Sequence, residues 1–370
     1  MAMRETDEQR ALRDAVAIFL DKRSSQARVR DLMTTDTGHD TSAWREMAEM
    51  GLLGLTLPEE VGGAGAGYAE QGIVMEEMGR ALLCAPYFST AVLTPRLLAA
   101  AGDDRERSEI LPRIAAGELV VSLAYAEDSS TRPPVRVDTA AAQIAGQWSL
   151  TGQKTFVLDA GAAGLLYVLA DTDSGPSIFA VDTAAAGITI AALTTIDLTR
   201  KQYRVEFADV AARLVGTPGA GIDVVTTAVD HAAVALLSEQ AGGAHRAMQM
   251  GVDYARTRMQ FGRAIGSFQA VKHLCADMLL EAESAISAAR HVAAAFDETA
   301  QSRWSDLALA QAYCSEAFVF TAATTIQVHG GIGFTWEHPA HLYLRRARTD
   351  AQLLGPPTYH RDRYLQLKGV

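Results

Sequence analysis

A short stretch that follows a long apolar segment contains the residue types that bind phosphate. In residues 256–269, RTRMQFGRAIGSFQ, Arg256 and Arg258 come just before the dipeptide Phe261-Gly262. A guanidinium binds two phosphate oxygens at once, and a glycine lets backbone N–H groups come close to an anion. The stretch therefore indicates a phosphate-binding turn, although a turn between two helices with solvated arginines has the same composition.

A glycine-rich run at residues 62–67, GGAGAG, resembles a phosphate loop at first sight. It follows no clear strand, and the Lys-Ser/Thr pair of a P-loop is missing. We therefore interpret this run as a flexible loop that precedes a helix.

The composition of the chain excludes several classes of protein. A net charge of −11 and the lack of a long basic run argue against nucleic acid as a partner. The three cysteines are far apart and have no metal-type spacing, which indicates a reducing compartment, no disulfide framework and no metal site. The charged N-terminus is no signal peptide, and no charge-free apolar run reaches about 18 residues, so we expect a cytoplasmic protein without a membrane partner.

The hydrophobic pattern changes twice along the 370 residues, whose length predicts two or three domains. The first third has helical spacing, the middle has short apolar or alternating runs split by Gly, Pro and Asp, and helical spacing then returns. We therefore predict an α+β multidomain fold. Its parts are an N-terminal helical domain (1–118), a small antiparallel β-barrel or sandwich (119–219) and a C-terminal four-helix bundle (220–370).

Four segments in this order resemble the acyl-CoA dehydrogenase family, and the resemblance covers nearly the whole chain. They are GLLGLTLPEEVGGAG, LTGQK, RTRMQFGRAIGSFQ and IQVHGGIGFTWEHPAHLYLRRAR. The resemblance implies the family's fold and the α,β-dehydrogenation of an acyl-CoA thioester from fatty acid or steroid degradation. In that reaction a carboxylate removes the α-proton while the β-hydrogen leaves as a hydride to FAD. An electron-transfer flavoprotein-type acceptor is implied as well.

In this family the FAD lies across a subunit interface. One subunit holds the flavin end, and its neighbour supplies an arginine–phenylalanine turn and a glutamine–glycine–glycine motif for the pyrophosphate and the adenosine. The resemblance therefore implies a cofactor-binding role, given in trans, for Arg258, Phe261, Gln269, Gln327, Gly330 and Gly331.

The positions that would bind this chain's own flavin depart from the family pattern. The family's Thr-Glu-Pro-x-x-Gly-Ser-Asp type segment corresponds here to residues 126–133, where only Glu127 matches cleanly. The family's Trp-Ile-Thr/Ser segment corresponds to Phe156-Val157-Leu158, and leucine cannot donate a hydrogen bond to the flavin.

The positions of the catalytic base depart as well. The family's C-terminal Tyr-Glu-Gly-Thr segment corresponds to Leu353-Leu354-Gly355-Pro356, so Leu354 occupies the position of the base. In the members that carry the base on the preceding long helix, the position corresponds to Ala232. Neither side chain can accept a proton.

The residues that would reach a neighbour's FAD are kept, whereas those for the chain's own flavin and proton abstraction are lost. The chain therefore resembles the non-catalytic subunit of actinobacterial α2β2 heterotetrameric dehydrogenases, with a second dehydrogenase-like subunit that carries the catalytic Glu. Two alternatives stay open. One is a self-sufficient homo-oligomeric enzyme that uses Glu239 or Asp350 as its base. The other is a non-redox acyl-CoA-binding or scaffolding relic.

Overall fold

The computed structural model describes residues 5–127, 130–144 and 146–370. The α-helices are α1 (Asp7–Arg23), α2 (Gln26–Leu32), α3 (Thr41–Glu49), α4 (Tyr68–Ala81), α5 (Thr94–Ala101), α6 (Asp104–Ala115), α7 (Gly221–Thr257), α8 (Gln269–Asp297), α9 (Arg303–His329), α10 (Ala340–Asp350) and α11 (Pro357–Leu367). The strands are β1 (Val121–Ala124), β2 (Ala140–Ile144), β3 (Gln147–Leu158), β4 (Leu165–Ala170), β5 (Ser177–Asp182), β6 (Ile188–Ala192), β7 (Gln202–Val215), β8 (Met259–Gln260) and β9 (Arg263–Ala264). This order of helices, strands and helices confirms the predicted α+β fold class.

Packing divides the chain into two compact units. The helical unit comprises Met1–Val29, Gly67–Leu83 and Ala233–Val370, and the sheet unit comprises Arg30–Ala66 and Cys84–Ala232. The domain boundaries that the sequence predicts after residues 118 and 219 stay a prediction.

The sheet unit is built on one mixed sheet in the order β1-β4-β5-β7-β3-β2, with β6 also paired to β7. Strand β1 lies parallel to β4, and the other described pairs are antiparallel. The parallel pair differs from the all-antiparallel expectation, because β2 and β3 form the long connection that a parallel crossover needs. The sheet buries an apolar core that includes Leu150, Val157, Leu166, Phe179 and Val205.

Glycines set the packing of α4 against the part of α7 that lies in the helical unit. A Cβ added to Gly242 would lie 1.9 Å from the carbonyl oxygen of Glu76, and one added to Gly79 would lie 2.1 Å from that of Glu239. The two backbones are therefore in contact, and only glycine fits at these positions. Helix α9 is tied to α7 by the Thr325 hydroxyl, which donates to the carbonyl of Ala247 at 2.7 Å.

Among the described helices, one, α7, is long and apolar enough by length and composition to cross a membrane. Its most apolar 18-residue window is 72% buried inside the protein, which is typical of a core helix.

Candidate functional site

The arginine-rich stretch forms a two-residue hairpin after α7. Strand β8 pairs antiparallel with β9, and the turn residues Phe261 and Gly262 have φ values of 51° and 75°. Two positive φ values are typical of a type I′ turn, so the connection between α7 and α8 is a hairpin. Whether it binds phosphate stays a prediction. Glycine adopts this conformation without cost, but for phenylalanine it is strained, and such strain is found mostly at functional sites.

The side chains of this hairpin face solvent. Phe261 is 90% exposed, and Arg258 and Gln269 are exposed as well. Within the described residues the Arg258 side chain makes no hydrogen bond or ion pair, whereas the Arg263 guanidinium lies over the Phe268 ring at 4.0 Å. Arg258 therefore presents all its guanidinium donors to whatever approaches the hairpin.

Gln269 begins the 29-residue helix α8, which follows the hairpin after a short 3₁₀ segment, Ile265–Ser267. The N-cap residue Phe268 gives no side-chain cap to the backbone N–H groups of the first turn. The first turn of a long helix carries unsatisfied N–H donors and the positive end of the helix dipole. Together with the exposed Arg258, this start of α8 favours an anionic ligand.

The glycine turn, which we define as the 3₁₀ segment Gly330–Phe334, follows directly after α9. Gly330 has a φ of 64°, so the fold itself needs glycine at this position. At Gly331 the φ is not positive, and an added Cβ would meet no atom within 4 Å. Gln327, Gly330 and Gly331 are exposed. Neither the backbone conformation nor the packing of this chain requires glycine at position 331.

A ring stack brings the hairpin and the glycine turn together. Tyr254, on the last turn of α7, and His329, at the end of α9, stack with ring centroids 4.3 Å apart and an interplanar angle of 25°. The Tyr254 carbonyl accepts from the backbone N–H of Arg258 at 2.8 Å, and His329 directly precedes Gly330. The two predicted motifs are therefore neighbours in space.

The two positions of the usual catalytic base hold buried aliphatic residues. Leu354 is 1% exposed and has a φ of 65°, and Ala232 on α7 is fully buried. Leu158, where the family has a flavin-binding hydroxyl, is also buried, and its carbonyl accepts from the Ser122 hydroxyl at 2.5 Å. None of the three side chains has a group that accepts or donates a proton.

The two alternative bases lie in the interior of the helical unit. The Glu239 carboxylate is 2.5 Å from the Arg346 guanidinium, and the two side chains are 4% and 3% exposed. Asp350 is buried, and its backbone carbonyl accepts from the Gln240 amide at 3.2 Å. A buried carboxylate paired with arginine is typical of a structural ion pair.

Glu127, the single clean match in its segment, is also part of an ion pair. It accepts from the backbone N–H groups of Asp138 and Thr139 at 2.6 and 2.8 Å, and from the Lys154 ammonium at 2.6 Å. Burial lowers the pKa of Lys154 to about 8. Burial opposes ionisation of Glu127, but its hydrogen bonds with Lys154 and Thr139 hold its pKa below the usual range. Residues 128–129 of this segment lie outside the described residues.

In the described part of the chain, no group of three or more His, Cys, Asp or Glu residues is arranged to hold a metal ion.

Comparison with known proteins identifies the family. The N-terminal domain of acyl-CoA dehydrogenases matches residues 6–118, and their C-terminal domain matches residues 219–366. The chain belongs to the acyl-CoA dehydrogenase family, whose members generally bind FAD.

Similar proteins include acyl-CoA dehydrogenase IpdE2 of Mycobacterium tuberculosis, which is 35% identical over 96% of this chain and 95% of the relative. The ChsE4-ChsE5 complex from Mycobacterium tuberculosis has a TM-score of 0.89 and 28% identity, covering 100% of this chain and 99% of that one. A variant of the Tcur3481-Tcur3483 steroid ACAD has a TM-score of 0.87 and 27% identity over 98% of both chains.

Proposed function

We propose that this chain is one subunit of a mixed acyl-CoA dehydrogenase and supplies the pyrophosphate-binding half of a partner subunit's FAD site. The observation that carries the proposal is a contrast between two sets of residues. Arg258 and Phe261 of the hairpin and Gly330 and Gly331 of the glycine turn are exposed, whereas Leu354 and Ala232 are buried and aliphatic. A chain with this contrast contributes to a neighbour's active site and lacks a base of its own.

The exposed residues fit the anionic part of FAD. Arg258 would bind the pyrophosphate, next to the uncapped first turn of α8, and Phe261 and Gln269 would flank it. Gln327, Gly330 and Gly331 would lie along the adenosine, where the missing side chain of Gly331 admits the ligand. When bound, FAD accepts the substrate's β-hydrogen as hydride.

The residues at the flavin end of this chain do not fit a flavin of its own. A ring nitrogen or carbonyl of the flavin needs a hydrogen-bond partner. Leu158 and Pro356, which stand where the family has hydroxyl side chains, have no side-chain donor. The partner subunit would therefore carry the flavin end of the site, together with the catalytic Glu that removes the α-proton.

Similarity supports the assembly and the class of substrate. Two of the similar structures carry paired names, the ChsE4-ChsE5 complex and the Tcur3481-Tcur3483 steroid ACAD. By analogy with them we propose an α2β2 organisation and a substrate that is the CoA ester of a steroid side chain or a related lipid. The electron-transfer flavoprotein-type acceptor is proposed from the family resemblance.

A test of the proposal removes the two alternative bases. We expect Glu239→Gln and Asp350→Asn complexes, purified with the native partner, to keep acyl-CoA dehydrogenation within about twofold, because removal of a true base costs about a hundredfold or more. Since Glu239→Gln removes a carboxylate that pairs with Arg346, the double variant Glu239→Gln/Arg346→Gln serves as a control that removes both charges. A hundredfold loss in a folded complex would favour the self-sufficient enzyme.

A further inference from the structure

Three segments of the helical unit meet at the buried imidazole of His329. Its ring stacks on Tyr254 at the end of α7, and it lies 4.2 Å from the ring of His338, which precedes α10. The glycine turn folds back onto the same residue, since a Cβ added to Gly333 would lie 2.8 Å from the His329 Cβ. His329 therefore contacts the hairpin-bearing helix, the glycine turn and the segment after it.

The hydrogen bonds fix the orientation of this ring. The His329 Nδ1 lies 2.7 Å from the Thr325 carbonyl, and a carbonyl only accepts, so Nδ1 carries the proton. The Thr325 hydroxyl in turn donates to the Ala247 carbonyl on α7. This bond is a second tie between α9 and α7, on the N-terminal side of Tyr254. Burial lowers the pKa of His329, so the neutral ring is favoured.

The backbone next to the two stacked rings is bonded to the two candidate FAD motifs, so the stack couples the positions of these motifs. The Arg258 backbone N–H donates to the Tyr254 carbonyl. The Ile265 backbone N–H donates to the Arg258 carbonyl at 2.8 Å, and this bond closes the base of the hairpin. A rotation of the Tyr254 turn would therefore move the hairpin, and a shift of His329 would move Gly330 and the residues after it.

We propose that His329 is a positioning residue, which holds the arginine hairpin and the glycine turn in one fixed arrangement through its stack on Tyr254. This inference rests on the proposed function, because the arrangement it fixes is the one that would bind the partner's FAD. The planar ring is the essential feature, and the Nδ1 hydrogen bond sets the angle of that ring. Preorganisation of this kind raises affinity because the bound ligand does not have to order the two motifs.

The test compares four variants of the chain. His329→Ala and His329→Asn remove the ring, and His329→Phe keeps a ring of similar size without the Nδ1 bond. The matched control is His341→Ala, which removes another buried imidazole of the helical unit, packed against Trp336. Each variant is purified with its native partner for FAD binding and alone for thermal unfolding and amide hydrogen exchange.

We expect FAD to bind about three- to tenfold more weakly to the His329→Ala and His329→Asn complexes, as the loss of one aromatic stack implies. His329→Phe and His341→Ala should stay within about twofold. In the isolated chain, the Ile265 amide should exchange faster in His329→Ala and His329→Asn than in His329→Phe. A purely structural role would lower the unfolding temperature of all ring-removal variants and of His341→Ala alike.

Two outcomes separate the inference from the proposal on which it rests. If Arg258→Ala weakens FAD binding and His329→Ala does not, the positioning role is wrong while the proposed function stands. If neither variant changes FAD binding, the proposed function fails. Unchanged Ile265 exchange in a folded His329→Asn chain would also overturn the positioning role, whatever the FAD result. If His329→Ala does not fold, His329→Asn and Tyr254→Leu give the same comparison.

Discussion

Replacing Arg258 with alanine removes one exposed guanidinium and leaves the packing of the helical unit unchanged. Among the described residues the Arg258 side chain has no hydrogen bond or ion pair, and its backbone bonds to Tyr254 and Ile265 do not depend on the side chain. We therefore expect the unfolding temperature of the isolated Arg258→Ala chain to equal that of the unmodified chain. The consequence should appear only when FAD is bound.

The size of the effect follows from the kind of contact. A guanidinium that binds two pyrophosphate oxygens makes a pair of charge-assisted hydrogen bonds, worth about 1.5–3 kcal/mol. The mixed complex should therefore bind FAD about ten- to a hundredfold more weakly when Arg258 is alanine. Arg258→Lys keeps the charge but loses the bidentate geometry. The complex with this variant should therefore bind FAD more weakly than the unmodified complex and more tightly than the Arg258→Ala complex.

The assay is FAD titration of the deflavinated mixed complex, followed by flavin fluorescence. The matched control is Arg263→Ala, because Arg263 belongs to the same hairpin and carries the same charge but lies over the Phe268 ring. We expect less than about a threefold change for the control, since only long-range attraction is lost. Equal losses for both variants would refute a specific contact and would leave only a general electrostatic effect, and no loss in Arg258→Ala would refute the assignment.

Two further predictions concern the glycines and the pH dependence. Gly331→Ala should leave the unfolding temperature unchanged and weaken FAD binding by the mixed complex. Gly242→Ala should destabilise the chain, because its Cβ would lie 1.9 Å from a backbone oxygen on α4. A lower unfolding temperature for Gly331→Ala than for Gly242→Ala would contradict this prediction. Burial lowers the pKa of His360 from 6.5 to about 4, so between these values the unfolded chain binds more protons than the folded one. The free energy of unfolding should therefore fall as the pH drops from 6.5 to 4, by up to about 3 kcal/mol, and urea titrations should show a smaller fall in His360→Gln.

The local periodicity of the sequence predicts most of the helices, because each depends on residues close in the chain. The first third, which has helical spacing, contains α1–α6, and the last part, where helical spacing returns, contains α7–α11. The parallel pairing of β1 with β4 was not predictable in this way. It joins residues that are more than 40 apart, and strand alternation alone does not say which strands become neighbours.

The residue types of the candidate site were predictable, but the geometry was not. Arginine next to Phe-Gly indicates an anion-binding turn, yet nothing local shows that Phe261 adopts a positive φ, because that strain is imposed by the hairpin. The Glu239–Arg346 pair joins residues 107 apart, so from sequence Glu239 stayed an alternative base. The stack of Tyr254 on His329 was missed for the same reason, although both residues flank the predicted motifs.

Flavin content tests the central claim most directly. The chain is purified alone and together with the proposed dehydrogenase-like partner subunit, and FAD is measured per polypeptide by absorbance after denaturation. The proposed function predicts little FAD on the isolated chain and about one FAD for each pair of unlike chains in the complex. An isolated chain that holds about one FAD per polypeptide and oxidises an acyl-CoA would contradict it.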